Sequence, residues 1–359
     1  MNYILCDPQR IELYYPFTLT RPLGEMRIFG GTLKEHWEKY LGCEVSYLTR
    51  KYLRGLYPLK IEKENILLDP LDIIQILYLD KDLKKQYNKV LFEYDDNTSI
   101  DSIQSKIHSM NISSFPENRK KGLSLFIDYN INNSIASFFK SNIDCSKSPF
   151  LNDDDGPIVI EKDVTIMEGA IIKGPVYICK GTTIKMGAQI YGPTVIGPYC
   201  KIGGEVSNST FLGFSNKAHH GFIGHSIVGE WCNIGAGTSN SNLKNDYSNV
   251  KIWDYETHRF IDSQQQFLGL FMGDHSKCAI NTSFNTGTTV GVNCNIFGSG
   301  FPRNYIPSFS WGGPQGIKNY EFEKAIEVAE KVMFRRSMKL SSKYLQILRE
   351  IYNLTSEFK

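Results

Sequence analysis

Between residues 156 and 206, isoleucine recurs at every sixth position: Ile160, Ile166, Ile172, Ile178, Ile184, Ile190, Ile196 and Ile202. A period of six fits neither a helix, at about 3.6 residues per turn, nor the simple alternation of a strand. A second register runs two residues ahead of the first. It holds Ile158, Val164, Ala170, Val176, Thr182, Ala188, Thr194, Cys200 and Val206, all small or β-branched. Hexads of this kind form short flat strands, three to a triangular coil. The large aliphatic side chain points into the prism and the small one sits beside a corner. Gly174-Pro175, Gly192-Pro193 and Gly197-Pro198 supply turns. The pattern predicts a left-handed parallel β-helix whose stacked coils share one aliphatic core.

The 359 residues leave room for more than this. Residues 1–145 read as a Rossmann-like α/β domain with a parallel sheet, with strands at Tyr3 to Cys6, Val45 to Leu48, Ile66 to Leu68, Val90 to Phe92 and Leu123 to Ile127. Thr32 is placed to cap a helix through Tyr40, with Glu35 closing a capping box. A basic helix running to Tyr57, a helix over DIIQILYL and another near Asn133 to Lys140 complete this domain. A polar linker, Ser141 to Asp155, leads into the β-helix at 156–300. There the spacing from Leu212-Gly213 to Ile223-Gly224 is one residue short of two hexads. Residues 239–266 form an insertion, and hexads resume at Met272, Cys278, Phe284, Val290 and Ile296. A carboxy-terminal helical segment, 318–355, reads as one long helix from Phe322 to about Tyr352.

A net charge of +2 gives no reason to expect nucleic acid or an anionic membrane as a partner. No apolar run reaches the ~18 residues of a membrane span. MNYILCDPQR does not read as a signal peptide, since Asp7 and Arg10 interrupt it before an apolar run develops. The eight cysteines form no CxxC pair. They read as core residues in a reducing cytoplasm.

The broken coil draws attention to chemistry. It places His219, His220 and His225 close together, between Lys217 and Asn242. A neutral histidine in a cleft between prisms can act as a general base. Exposed flat faces with such clefts, and a basic terminal helix, point to a homotrimer. Lys217-Ala218-His219-His220-Gly221-Phe222-Ile223-Gly224 is followed by Asn233-Ile234-Gly235-Ala236-Gly237-Thr238 and Ser241-Asn242-Leu243. These segments resemble the acetyltransferase half of the bifunctional N-acetylglucosamine-1-phosphate uridylyltransferase/glucosamine-1-phosphate acetyltransferase family. RPLGEMRI, KMGAQIYGPT, GEWCNIGAGT, LKNDY and GFPRNYIPSFSWGG look like a divergent GlmU-like branch known from Bacteroidetes-type bacteria, from Asn2 to about Leu345.

The resemblance implies sugar-nucleotide biosynthesis: acetyl-CoA-dependent N-acetylation of an amino-sugar 1-phosphate, nucleotidyl transfer to form a sugar nucleotide such as UDP-N-acetylglucosamine, or both. It implies a base at His219 or His220, depending on where the missing residue is counted. Asn242 matches the family asparagine near the acetyl donor, and Lys217 and Ala236 fall in the matching substrate and acetyl-CoA segments. Asn208 and Ser209 stand where the family has a lysine pair on the sugar phosphate, and Ile280 stands near its thioester serine.

Sugar nucleotidyltransferases open with a G-x-G-x-R loop whose amides approach a triphosphate. Asp7-Pro8-Gln9-Arg10 stands there instead, followed by Thr18-Leu19-Thr20-Arg21-Pro22-Leu23. The resemblance puts Arg21 in the place of the phosphate-binding lysine, with Arg27 following, and makes Asp69 and Asp128 candidates for Mg2+. Two other classes are compatible with the residues. One is a zinc enzyme of the γ-carbonic-anhydrase kind using His220 and His225 with His258 or His275. The other is a non-catalytic trimeric scaffold that senses a sugar nucleotide.

Overall fold

A computed structural model describes residues 2–79, 91–93, 123, 136, 139–143 and 150–358. The amino-terminal sheet contains β1 (Asn2–Cys6), β2 (Val45–Leu48), β3 (Glu64–Leu68) and β4 (Leu91–Glu93), in the order β2-β1-β3-β4. The first three are parallel, and β4 runs antiparallel to β3 at the edge. Helix α1 (Leu33–Leu41) starts with the expected capping box. The Thr32 hydroxyl accepts from the Glu35 amide at 3.1 Å, and the Glu35 carboxylate accepts from the Thr32 amide at 2.6 Å. Helix α2 (Asp72–Leu79) follows β3. The basic helix expected before Tyr57 is only a 3-10 turn at Lys51–Leu53, which Gly55 and Pro58 leave no room to extend. The strand expected over 123–127 and the helix expected over 133–140 fall, but for isolated residues, outside the described residues.

The hexads build a parallel β-helix with three faces. Face one includes Ile171–Lys173, Gln189–Tyr191, Glu205–Ser207 and Phe222–Gly224. Face two includes Val176–Ile178, Thr194–Ile196, Thr210–Gly213, Ile227–Glu230 and Leu270–Met272. Face three includes Thr183–Ile184, Lys201–Ile202, Asn216–Lys217, Asn233–Ile234 and Lys277–Cys278. Regular coils take 18 residues, so that Ile172 pairs with Ile190, Ile178 with Ile196 and Ile184 with Ile202. These isoleucines are fully or almost fully buried in one continuous core.

The coil then contracts. Ile190 pairs with Val206, Ile196 with Phe211 and Ile202 with Lys217, steps of 16, 15 and 15 residues. Val206 pairs with Ile223 and Phe211 with Val228, steps of 17. The sequence spacing had put the shortening between Leu212 and Ile223. It lies instead between Ile202 and Phe211, and again between Ile223 and Val228. Phe211 is the inward residue, and Leu212 points outward into the core shared with the amino-terminal domain. Val206 accordingly fills an isoleucine position rather than the small register.

Alternate residues of face two turn outward, as strand geometry requires. Tyr177, Val195, Leu212, Ile227 and Phe271 form one cluster with Leu23, Ile28, Phe29 and other residues of the amino-terminal domain. The two units are therefore joined by a buried apolar surface. The insertion leaves the coil after Asn242 and returns at Leu268, whose amide donates to Asn242 O at 2.9 Å. It carries an antiparallel hairpin, Lys251–Asp254 with Arg259–Asp262. The carboxy-terminal segment is two helices rather than one, α3 (Phe322–Phe334) and α4 (Ser342–Leu354). Ser337 takes a left-handed φ of 57° between them, and the Ser341 side chain caps α4 by accepting from the Tyr344 amide.

Candidate functional site

The contraction divides the expected histidines between two edges of the prism. His219 and His220 lie on the edge between faces three and one. His220 O accepts from the Gly237 amide at 3.0 Å one coil further on, which fixes the turn. Both side chains are exposed, and neither imidazole makes a side-chain hydrogen bond among the described residues. Ala236 is half-buried on the same edge, its carbonyl accepting from the Asn281 amide at 2.7 Å. Met186 and Ile280 sit there too, 65% and 68% exposed, which gives this edge an apolar surface beside the two imidazoles.

His225 lies on the next edge, between faces one and two. Tyr191 pairs with Ser207 and Ser207 with Gly224, so Gly192, Asn208 and His225 follow as one column of corner residues. All three have left-handed φ, at 65°, 49° and 50°. Asn242 completes the column one coil later. Its side-chain nitrogen is 2.8 Å from His225 Nδ1. The backbone of His225 is pinned from both sides, its amide donating to Ser207 O at 3.1 Å and its carbonyl accepting from the Gly269 amide at 2.8 Å. Phe267, brought back by the insertion, stacks on the imidazole with ring centres 5.0 Å apart. Burial lowers the His225 pKa from 6.5 to about 4, so the ring is neutral at physiological pH.

The Asn242 contact can be made in two ways. With the amide nitrogen donating, Nδ1 accepts and the proton resides on Nε2. With the amide turned over, its oxygen accepts from Nδ1–H and the Nε2 lone pair is free to take a proton. A neutral histidine oriented by a fixed partner beside an aromatic wall is an arrangement suited to general base chemistry.

Lys217 is not in this wall, nor in any outer cleft. It occupies the inward position that Ile202 fills in the preceding coil and is 1% exposed. Its ammonium donates to Gly203 O at 3.0 Å and His219 O at 2.7 Å, and burial pushes its pKa down to about 8. The expectation that Lys217 contacts substrate is therefore corrected: its side chain holds the edge that carries His219 from within. Ser209, beside Asn208, is also turned inward, with its hydroxyl donating to Ser207 O at 2.7 Å.

The amino-terminal candidates are engaged differently from expectation. Arg21 is buried and ion-paired with Glu230 at 3.1 Å and with Asp274, both from the β-helix. Its guanidinium faces carboxylates of this chain, which is not the environment of a triphosphate clamp. Arg27 lies 3.7 Å from the Glu35 carboxylate and reaches Cys179 Sγ at 3.6 Å. Asp7, at the end of β1, accepts from the Leu23 amide at 2.8 Å and pairs with Arg50 at 3.6 Å. The buried Asp69 carboxylate accepts from the Leu71 amide at 2.9 Å, ahead of α2. Asp128 lies outside the described residues.

No group of three or more His, Cys, Asp or Glu able to hold a metal ion occurs among the described residues. Among the described residues no such set gathers around Asp69. Nor does the zinc set: His275 packs between Trp231 and Tyr344, and His258 lies against Phe358. No helix among the described residues is long and apolar enough to cross a membrane.

Sequence reasoning noticed His225 but favoured its neighbours. The signal that would have singled it out is arithmetic. Asn242 lies one contracted coil of 17 residues after His225, so the two share a corner. That step becomes visible only when the contraction is placed correctly.

Comparisons with known proteins give a family match and several structural likenesses. Residues 3–100 match a family model described as sugar nucleotidyl transferase. A comparison with curated protein sequences gives no match. Among solved structures, the chain is similar to a polysialic-acid-specific acetyltransferase, NeuO, at 14% identity and a TM-score of 0.28, covering 43% of this chain and 78% of that one. It is also similar to a UDP-N-acetylglucosamine acyltransferase of Arabidopsis at 12% identity and a TM-score of 0.22, covering 56% and 86%. A third is LpxA, a UDP-N-acetylglucosamine acyltransferase of Bacteroides fragilis, at 13% identity and a TM-score of 0.16, covering 57% and 96%. At these scores the superpositions carry no argument about chemistry.

Proposed function

We propose that this chain is an acyltransferase that moves an acetyl group from acetyl-CoA to the amine of an amino sugar phosphate, with His225 as the base. The observation that carries this reading is the 2.8 Å contact between His225 Nδ1 and Asn242. Asn242 is also the residue that the resemblance puts near the acetyl donor. With the Asn242 amide turned so that its oxygen accepts from Nδ1–H, Nε2 of His225 takes a proton from the acceptor amine as its nitrogen attacks the thioester carbonyl. The tetrahedral intermediate collapses, the C–S bond breaks, and the CoA thiolate leaves and is protonated. Phe267 excludes water from one face of the imidazole and keeps it neutral. Asn208, one coil earlier in the same column, is positioned to hydrogen-bond the sugar.

The amino-terminal domain resembles sugar nucleotidyl transferases, and in this reading it binds the sugar or its nucleotide. A second reading, in which it binds without turnover, is favoured by one observation: Asp7 and Arg21, where the phosphate loop would act, are committed to internal ion pairs. The working assembly is a homotrimer in which the exposed edge bearing Met186, His219, His220 and Ile280 is covered by a neighbour. The test is thiol release from acetyl-CoA in the presence of a panel of amino sugar phosphates. Acceptor-dependent release supports the acyltransferase. Its absence with every acceptor, together with tight binding of a sugar nucleotide, favours the binding protein.

A further inference from the structure

A cavity of about 420 Å³ lies on the other side of the prism, between face three and α3. Four cations line it: Lys201 and Lys277 from strands of face three, and Arg335 and Arg336 from the end of α3. Asn216 and Asn233 add polar groups, and no carboxylate lines it. Among the described residues none of the four cations takes part in an ion pair; Arg336 donates to Asn216 Oδ1 at 3.0 Å.

Lys277 is the informative member. Its ammonium has three donors, of which one is used, to His275 O at 2.7 Å. Burial lowers its pKa to about 8. The neighbouring Cys232 is no counter-charge, because burial raises its pKa and keeps it a neutral thiol. Lys201 is held below its ordinary value first by the adjacent Arg336. The carboxy-terminal end of α3 carries a partial negative charge that attracts Arg335 and Arg336. That accounts for the arginines and leaves the two strand lysines unexplained. Holding four like charges around one cavity is unfavourable unless an anion completes it.

We propose that this cavity, whose lining does not include His225, binds the diphosphate group of a small molecule, and its binding is read without any acyl transfer. A diphosphate supplies several negative charges and acceptor oxygens to match four cations, and the volume admits a ligand of small-molecule size. The diphosphate has two candidate sources, a nucleoside diphosphate or coenzyme A. The apolar edge of the aromatic run Tyr199, Phe214 and Trp231 is beside it, with ring centres 5.2 and 4.3 Å apart along the run.

Thermal melts and calorimetry with inorganic pyrophosphate, UDP and CoA, each at matched ionic strength, test the site on the full chain. Pyrophosphate should raise the melting temperature of the wild type beyond the effect of matched chloride. Lys277→Met should melt higher than wild type without anion, since a half-buried charge with no ion-pair partner among the described residues is gone, and should bind pyrophosphate at least about tenfold more weakly. Arg335→Gln/Arg336→Gln, altered at the outer wall, should lose the same response if Lys277→Met does not fold. Whichever of UDP and CoA binds more weakly to Lys277→Met than to the wild type identifies the source. No stabilisation by any of the three, or an undiminished response in both variants, overturns the proposal.

Discussion

Arg21 of the amino-terminal domain is ion-paired with Asp274 of the β-helix, with both side chains buried. Thr20 donates a hydroxyl to the same carboxylate at 2.7 Å, and the Glu230 amide donates to its other oxygen at 2.9 Å. Burial pushes the Asp274 carboxyl up, and Arg21 is the largest influence holding it down. The pair fastens the two units beside their shared apolar surface.

Arg21→Met should therefore destabilise the whole chain, by about 3–5 kcal/mol, since it leaves a buried carboxylate without its cation. The folded-state pKa of Asp274 rises further in this variant. A carboxyl raised above its unfolded value loses stability as pH increases, so the defect should be smallest near pH 4 and grow towards pH 7. Asp274→Asn in the Arg21→Met background should restore much of the loss. Denaturant melts across that pH range check this, and a defect independent of pH would mean that the pair is solvated.

The two domains and most of their elements were legible in the sequence because the signals are local. The isoleucine period specifies the prism, and Thr32 with Glu35 specifies the start of α1. The register across the contraction was not legible, because Phe211 and Leu212 are equally apolar and only the packing of the amino-terminal domain decides which points outward. Arg21 was misread for a related reason. Its partners Glu230 and Asp274 are more than 200 residues away, and a basic residue in a nucleotidyltransferase-like segment reads as a phosphate ligand when they are unseen. Ser337 and Ser341 break the terminal helix without a glycine or proline to announce it.

Lys217 offers a second test of the register. Its folded-state pKa of about 8 lies below the ordinary 10.5, so wild-type stability should rise as pH increases from about 8 towards 10.5. Lys217→Met should remove that rise and be more stable than wild type at pH 7, by about 1–3 kcal/mol. Chemical melts at pH 7 and pH 9.5 read both effects. A methionine variant weaker than wild type at pH 7 would show that the bonds to Gly203 O and His219 O outweigh the cost of burying the ammonium.

Assembly is tested on the exposed edge. Met186→Glu with Ile280→Glu adds two carboxylates per chain to a surface that a trimer would bury. Light scattering at micromolar concentration should show a trimer for the wild type and a monomer for the double variant, both folded by circular dichroism. A wild-type monomer would place the whole active site within one chain.

The central claim is the pairing of His225 with Asn242, and it is tested most directly by acetyl transfer in four single variants at fixed pH. His225→Ala should lose about 10²–10⁴ in rate, the range of a general base. Asn242→Ala should lose less, since it orients the ring without taking the proton. His219→Ala and His220→Ala should keep most of the wild-type kcat. Because burial holds the His225 pKa near 4, wild-type rate should not fall between pH 8 and about pH 5.5 on account of this base. Full activity in His225→Ala, with the loss appearing in His219→Ala or His220→Ala, would contradict the account and move the reacting amine to the neighbouring edge.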